Sequence, residues 1–497
     1  MSSLFIPSKR VWLCPLKYIS KMVCPTKSTA SGFDVLNIKD YILEKYVPLK
    51  LSEPIYSVNF VDCLNENKFP NEHSQLQCTE LVWPFSRTGA SPIQVPISAA
   101  QIMAEADDEI KGKRILEITL NMESVGDYFK PGDTIGILPI NNINDVQLLL
   151  KQMELENNID DTFQLLISPK CIKKTAKLPT HIPNRCTPYQ LLRDCLSIHA
   201  IPKKQFLNVL ANCCEDNDER AFLSSLSSKE GSNYYNELIL ERGLKLLDLL
   251  ELCPSCKPTL EVLIEHLPRL LPRPYSIANN PVANDLKIIF SRLTEKPGVT
   301  TDMLNNLTIR FLNSANPLEL PTITLYARQP NQFRFTAEEA TERNHILIGV
   351  GTALAPFLGF LELKQQLLEN APFKTLGDTW LFAGAINETH LPHRDRILAC
   401  KETGVLQRYF ESFSRVSSAS FHYIQEQLVA YASEFVEFLH QENTMLYICA
   451  DGGSISKSIE KAIVECLTQV KHITPEEATQ ELKLYKQNGK YREDLWL

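Results

Sequence analysis

At 497 residues the chain is too long for one ordinary hydrophobic core and asks for at least two compact domains. Its 44% hydrophobic and 22% charged content sits near globular averages, which excludes a disordered or fibrous chain, and no apolar run approaches the roughly 18 to 20 residues of a membrane span. A formal charge of -8 argues against general nucleic-acid affinity while leaving room for local basic pockets that hold phosphate.

In chain order, residues 1–90 read as an N-terminal extension and linker with one helix candidate at 36–46. Its first stretch carries Lys9, Arg10, Lys17, Lys21 and Lys27 with no acid before Asp34, a weak likeness to an organelle transit peptide. Pro7, Pro15 and Pro25 interrupt any amphipathic helix there, so the cytoplasm is the expected compartment. Residues 91–145 open a β-barrel, with strand patterns at 114–120 and 134–139 around a turn at Pro131 and Gly132. From 146 to 271 apolar residues recur at helical spacing, as in Leu246, Leu249 and Leu250, which predicts a helical connecting insert. Strand signals return at 275–278, 286–293 and 322–327, so 272–343 is expected to complete the barrel. From 344 to 497 short apolar strands alternate with amphipathic helices, the pattern of a parallel sheet. The expected fold class is therefore α/β plus β-barrel: an antiparallel β-barrel with a helical insert, followed by a parallel-sheet domain.

Fourteen cysteines in a chain this long fit reduced thiols better than a disulfide framework. Cys253 and Cys256 have CxxC spacing, but no second Cys/His pair lies at zinc-ribbon distance, so no metal site is expected, and Cys213 and Cys214 read as half-buried helix thiols.

Two segments invite a dinucleotide. The first strand of the parallel-sheet region runs into Gly349, Val350, Gly351 and Thr352, a strand, turn and helix where phosphate can meet backbone N–H groups, although such a turn also serves plain packing. Arg273, Pro274, Tyr275 and Ser276 offer a forked cation and an aromatic face, and Pro274 keeps Arg273 extended so that Arg273 and Tyr275 share one side of a strand.

These segments occur in order with Lys130-Pro131-Gly132-Asp133 after Tyr128, with Gly298, Val299, Thr300 and Thr301, with Tyr447-Ile448-Cys449-Ala450-Asp451, and with Asp494-Leu495-Trp496. The constellation resembles the ferredoxin–NADP reductase superfamily and, within it, the diflavin reductases, most closely the methionine synthase reductase branch, over residues 90–497. The resemblance implies that the barrel binds FAD and the parallel sheet binds NADP. Arg273, Pro274, Tyr275, Ser276, Gly298, Val299, Thr300 and Thr301 would hold FAD, and Trp496 would cover its ring. Gly351, Thr352, Ser414, Arg415, Tyr423, Ile424 and Gln425 would hold NADPH, with Arg415 selecting the 2′-phosphate. Ser276, Cys449 and Asp494 would form the catalytic trio. The implied activity is hydride transfer from NADPH to FAD, with electrons passed onward to reactivate cob(II)alamin methionine synthase. The alternatives are a free-standing FAD reductase for a separate FMN or heme acceptor, and a non-catalytic scaffold for methionine synthase. FMN is not expected on this chain, because only linker-like text precedes the barrel, and neither nucleic acid nor membrane is an expected partner. Departures from the pattern include Thr300 for cysteine, Ala353 and Ala450 for glycine, Ala99 and Ser458 at positions that carry charge in related reductases, and Leu497 for serine. A Cβ at 353 or 450 would crowd a ligand if φ there had to be positive.

Overall fold

The computed structural model describes residues 36–51, 53–61, 86–87, 91–105, 112–123, 129–281, 284–314, 319–371 and 375–496. The basic N-terminal stretch, Tyr128 and Leu497 lie outside the described residues. In chain order the strands are β1 (Tyr56–Phe60), β2 (Ile93–Ala104), β3 (Lys113–Asn121), β4 (Thr134–Ile137), β5 (Phe163–Ile167), β6 (Arg185–Cys186) and β7 (Arg273–Ser276). There follow β8 (Asp285–Leu293), β9 (Thr322–Ala327), β10 (Asn344–Val350), β11 (Thr379–Ala385), β12 (Arg408–Phe413), β13 (Thr444–Asp451) and β14 (Tyr491–Trp496).

Six antiparallel strands in the order β7-β4-β9-β2-β3-β8 form one sheet, and a bridge between Ile277 and Ile288 brings its two edge strands together. The result is a barrel. Along β3 the two-residue period sends Leu116, Ile118 and Leu120 into the barrel core, and Ile115 to the opposite face. Glu117 follows Ile115 outward and is buried all the same.

The parallel sheet has the order β12-β11-β10-β13-β14. Its three central strands, β11, β10 and β13, are buried on both faces and read as nearly continuous apolar runs, while the edge strands β12 and β14 carry polar residues. Alternation still decides which layer each side chain joins. Leu347, Leu381, Met445, Tyr447 and Cys449 pack on one face, while Ile346, Ile348, Phe382, Leu446, Ile448 and Ala450 pack on the other. The first of these faces is shared with the barrel, because Ala104, Ile115, Ala278 and Ile289 belong to the same apolar cluster.

Several elements depart from expectation. The helix predicted at 36–46 is only a four-residue 3-10 turn, Ile38–Tyr41. The segment is held as a strap instead: the Tyr41 hydroxyl donates to Glu237 (2.9 Å), and the Leu43 and Val47 N–H groups donate to Ser225 and Glu230. The insert is not purely helical, because β1 from the presumed linker joins β5 and β6 in a three-stranded sheet. The N–H of Val58 in β1 and that of Ile55 just before it donate to Glu261 and Glu265 of the helix Leu260–His266, at 3.0 Å each. Gly298 is the N-cap of a 15-residue helix, Val299–Asn313, which Val299, Thr300 and Thr301 open. Ala353 and Ala450 do not have positive φ, which removes the strain feared there.

Among the described residues no helix is long and apolar enough to cross a membrane, and no cluster of His, Cys, Asp and Glu is placed to hold a metal ion. Cys214 and Cys256 lie opposite each other in an isolated bridge, both buried, and both thiols donate to the Leu210 carbonyl.

Lys364, in the helix Ala355–Asn370, is 1% exposed and donates to the Gly377 carbonyl (2.6 Å) and to Thr379 Oγ1 (2.5 Å). Burial pulls its pKa down to about 7 against the opposing pull of Asp378. A folded pKa below the unfolded one means that, between the two, the unfolded chain binds more protons, so this group makes stability rise with pH above 7. Relative to Lys364→Met, the natural chain should gain roughly 2–3 kcal/mol between pH 6 and pH 9, read from denaturant unfolding at both pH values.

Candidate functional site

The parallel sheet reverses its strand order between β10 and β13, and ligands of open α/β sheets bind in the crevice outside the carboxyl ends of such a pair. Gly349 is in the last pair of residues of β10, Gly351 and Thr352 follow that strand, and Cys449 and Asp451 lie in the last three residues of β13. Gly349 is confined, since a Cβ there would meet Leu354 and Phe357 at 3.1 Å. Gly351 has φ +60, and a Cβ built on it meets no protein atom within 4 Å. The 3-10 turn Gly351–Leu354 lacks a side-chain cap and runs straight into the helix Ala355–Asn370, whose Ala355 N–H bonds the Thr352 carbonyl, so the unclaimed donors lie at the start of the 3-10 turn. This is a cradle that a side chain would fill and a dinucleotide phosphate fits.

The second anion seat is on the barrel. The Arg273 side chain is exposed on β7 and, among the described residues, makes no hydrogen bond or ion pair. The helix Val299–Asn313 begins at Gly298 with no side-chain cap, the Thr301 hydroxyl donates back to the Gly298 carbonyl (3.1 Å), and Thr300 is buried. Tyr275 meets Phe290 edge to face at 6.3 Å, and burial pushes its phenol up despite the nearby Arg273. A forked cation, an uncapped helix and a half-buried aromatic suit a pyrophosphate and a planar ring.

Between these seats the two sheets meet through side chains. Ser276 Oγ, from the barrel, donates to Asp494 Oδ2 at 2.6 Å. Asp494 reaches this place because β14 pairs parallel to β13 with Asp494 beside Cys449, and the Cys449 thiol points at the same carboxylate oxygen at 4.0 Å. The three residues expected to act together therefore share one carboxylate. Burial raises the Asp494 carboxyl, while the Ser276 hydrogen bond and the charge of Arg328 pull it back only in part. Cys449 has no exposed surface, and burial, with Asp494 adding to it, drives its thiol well above the ordinary range. Trp496 ends β14, half-buried against the shared apolar cluster, and its carbonyl accepts from Gly452 N (2.8 Å).

Ser414 and Arg415 follow β12 and are tied to the end of β11 by N–H bonds to the Ala385 and Ile386 carbonyls, both 3.0 Å. Phe413 N bonds Phe421 O (3.3 Å), closing a loop that returns the chain to Tyr423. The Arg415 side chain is exposed and makes no hydrogen bond or ion pair among the described residues, and Tyr423 is 57% exposed. Gln425 Nε2 donates to Ser458 Oγ (2.7 Å). Ile424 needs correction as a ligand side chain. It is 3% exposed, and a Cβ on Gly384 would touch it at 3.1 Å, so its side chain serves the core. Sequence reasoning missed Arg328, which donates to Thr134 Oγ1 (3.1 Å) beside Ser276 and places its charge near Asp494. The only signal was a cation just past the end of a strand, which does not say what it faces.

A family model described as "FAD binding domain" matches residues 87–293. Methionine synthase reductase of Bos taurus is 32% identical over 427 residues, which is 81% of this chain and 61% of that protein. The human protein of that name is 32% identical over 469 residues, 87% of this chain and 66% of it. NADPH–cytochrome P450 reductase of Musca domestica is 25% identical over 397 residues, 78% of this chain and 56% of that protein. The chain spans about three fifths to two thirds of the length of its methionine synthase reductase relatives from these mammals.

The buried state of Cys449 carries a direct expectation. At pH 8 iodoacetamide should alkylate the partly exposed Cys171 and leave Cys449 unmodified until the chain is denatured, as read by peptide mass spectrometry.

Proposed function

Because the chain belongs to the diflavin reductase family, we propose that it is an NADPH-dependent flavoprotein oxidoreductase, with FAD held on the barrel and NADPH on the parallel sheet. The observation that carries this reading is the contact of Ser276, Asp494 and Cys449, drawn from two sheets to one point between two uncapped anion seats. When bound, NADPH supplies a hydride and FAD accepts it and passes electrons on singly.

The protein's part is binding, orientation and charge. Arg273, Pro274, Tyr275 and the helix N-terminus formed by Gly298, Val299, Thr300 and Thr301 would hold FAD, and Gly351 and Thr352 would hold the pyrophosphate of NADPH. Ser414 and Arg415, with Tyr423 and Gln425, would receive the 2′-phosphate, where a rigid cationic fork separates NADPH from NADH. Ser276 holds its proton toward Asp494, so its hydroxyl is oriented before any ligand arrives. Asp494 provides negative charge where positive charge grows as hydride leaves the nicotinamide, and Cys449 presents a neutral, unhydrated thiol beside it. Trp496 closes the outer side and would have to move for nicotinamide to reach the flavin. This reading divides the chain as an extension (1–90), barrel parts (91–145 and 272–343), insert (146–271) and NADP-binding domain (344–497). For the acceptor, the relatives named methionine synthase reductase support methionine synthase, reached directly or through an FMN carrier, and on this reading the electrons would reactivate its cob(II)alamin form. The relative named for cytochrome P450 supports heme as the competing acceptor.

Anaerobic mixing of the flavin-loaded chain with NADPH should bleach the flavin band, and NADH should do so much more slowly. Arg415→Ala should weaken NADPH about 10- to 100-fold, the loss of charge-assisted hydrogen bonds, and leave the limiting rate nearly unchanged. Asp494→Asn should lower the limiting rate roughly 100-fold with little change in NADPH affinity. A flavin that stays oxidised under NADPH would sink the proposal.

A further inference from the structure

The CxxC segment has no part in the site described above, and the fold gives it a partner. Cys214 and Cys256 lie opposite each other in an isolated antiparallel bridge, 2% and 0% exposed. The hydrogen bond beside them runs from the Lys257 N–H to the Cys213 carbonyl (3.0 Å), which makes Cys214 and Cys256 a non-hydrogen-bonded pair. Such a pair brings its Cα atoms to about 4.5 Å, inside the range that a disulfide spans. Both side chains turn to the same place, since both thiols reach the Leu210 carbonyl, at 3.4 and 3.3 Å. The surrounding turn is fastened to the segment it faces. Ser255 Oγ accepts from the Glu215 and Asp216 N–H groups (3.1 and 2.9 Å), and the Ser255 N–H donates to Glu219 (3.0 Å). Gln152 Nε2 donates to the Pro254 and Cys256 carbonyls (2.8 and 3.0 Å).

We propose that Cys214 and Cys256 are a disulfide-forming pair, a redox-dependent staple of the helical insert that is separate from the flavin chemistry. The step is thiol–disulfide exchange with a small-molecule disulfide such as oxidised glutathione. One cysteine, as thiolate, attacks the glutathione disulfide and releases one glutathione thiol; the second cysteine then displaces the other glutathione from the mixed disulfide. In sum one S–S bond breaks and one forms. The two cysteine thiols give up two electrons and two protons, which leave on two molecules of reduced glutathione.

Oxidation strands no polar group, because the Leu210 carbonyl keeps the Cys213 N–H (2.8 Å) when the two thiol donors are gone. The neighbouring cysteines are placed differently. Cys213 points its thiol at the Val209 carbonyl (3.4 Å), and Cys253 is the C-cap of the helix Leu246–Leu252, its carbonyl accepting the Cys256 N–H (3.0 Å). The hydrogen bond from Cys214, followed by burial, drives the Cys256 thiol upward, so exchange is slow and the pair records sustained rather than brief oxidation. The loop that the bond closes contains the helices Asn217–Ser227 and Leu246–Leu252. It also contains Ser225, Glu230 and Glu237, the residues that hold the strap through Tyr41, Leu43 and Val47. The staple therefore secures the seat of that strap.

The test incubates the whole chain with oxidised glutathione, alkylates the remaining thiols at successive times, and reads the peptides by mass spectrometry without reduction. Peptides joined through Cys214 and Cys256 should accumulate more slowly than glutathione adds to the partly exposed Cys171, and excess reduced glutathione should part them. The cross-link should raise the thermal midpoint by roughly 5–10 °C through the loop it closes. Cys256→Ala should show neither the cross-link nor the shift, whereas Cys253→Ala should keep both. Repeating the incubation in urea below the unfolding transition opens the insert locally and removes slow access as a cause of failure. If Cys214 and Cys256 are both still alkylated there once Cys171 has reacted to completion, the proposal is overturned. A bond from either residue to Cys213 or Cys253 instead overturns it equally. The natural chain alone decides the matter if a variant fails to fold.

Discussion

The constraint on which everything else depends is one apolar cluster that belongs to two sheets. Ala104, Ile115, Ala278 and Ile289 leave the barrel's outer face and pack with Leu347, Leu354, Phe357, Leu381 and Tyr447 of the parallel sheet and its helix. Burying that face fixes how the carboxyl ends of the parallel strands meet β7. A hydrogen bond of 2.6 Å between Ser276 and Asp494 tolerates little relative displacement, so the apolar contact supplies the rigidity and the polar contact uses it.

The same packing explains the electrostatics. Groups at the junction are cut off from water, which raises the Cys449 thiol and the Asp494 carboxyl and leaves both closer to neutral than they would be on a surface. Glu117 suffers the same burial and escapes the same fate because a histidine and a lysine face it. Neighbouring positions on one interface thus carry opposite shifts, decided by which partner each strand's alternation delivers. Arg273 and Arg415, by contrast, stand exposed at the two ends of the site, where a cation keeps its charge and stays open to a phosphate.

Much of this was legible in the sequence wherever one strong local rule acted alone. The apolar runs of β10 and β13, the Pro131–Gly132 turn and the leucine spacing of the insert each announce one element. β2 did not, because its register shifts between Ile97 and Ala99 and again between Ile102 and Ala104, which breaks the period of two. β1 is five residues in polar text, and it is a strand only because β5 lies beside it. In the site, residue types at strand ends pointed to the chemistry, but the pairing of Cys449 with Asp494 is a matter of register between segments 45 residues apart. No local pattern encodes that. Ile424 shows the converse: a motif position whose neighbours face outward while its own side chain is claimed by the core.

The small sheet of β1, β5 and β6 has a bearing on how the molecule avoids its own kind. β5 carries Ile167 partly exposed at its end, and without β1 its backbone would be an open template for another chain's strand. With β1 in place the open edge moves outward by one strand, and there Glu261 occupies the Val58 donor that an incoming strand would need, while Glu265 holds the Ile55 N–H just before the strand. Carboxylates on a helix thus engage backbone donors along the outermost strand, so that a segment which reads as linker in the sequence closes the edge of a sheet.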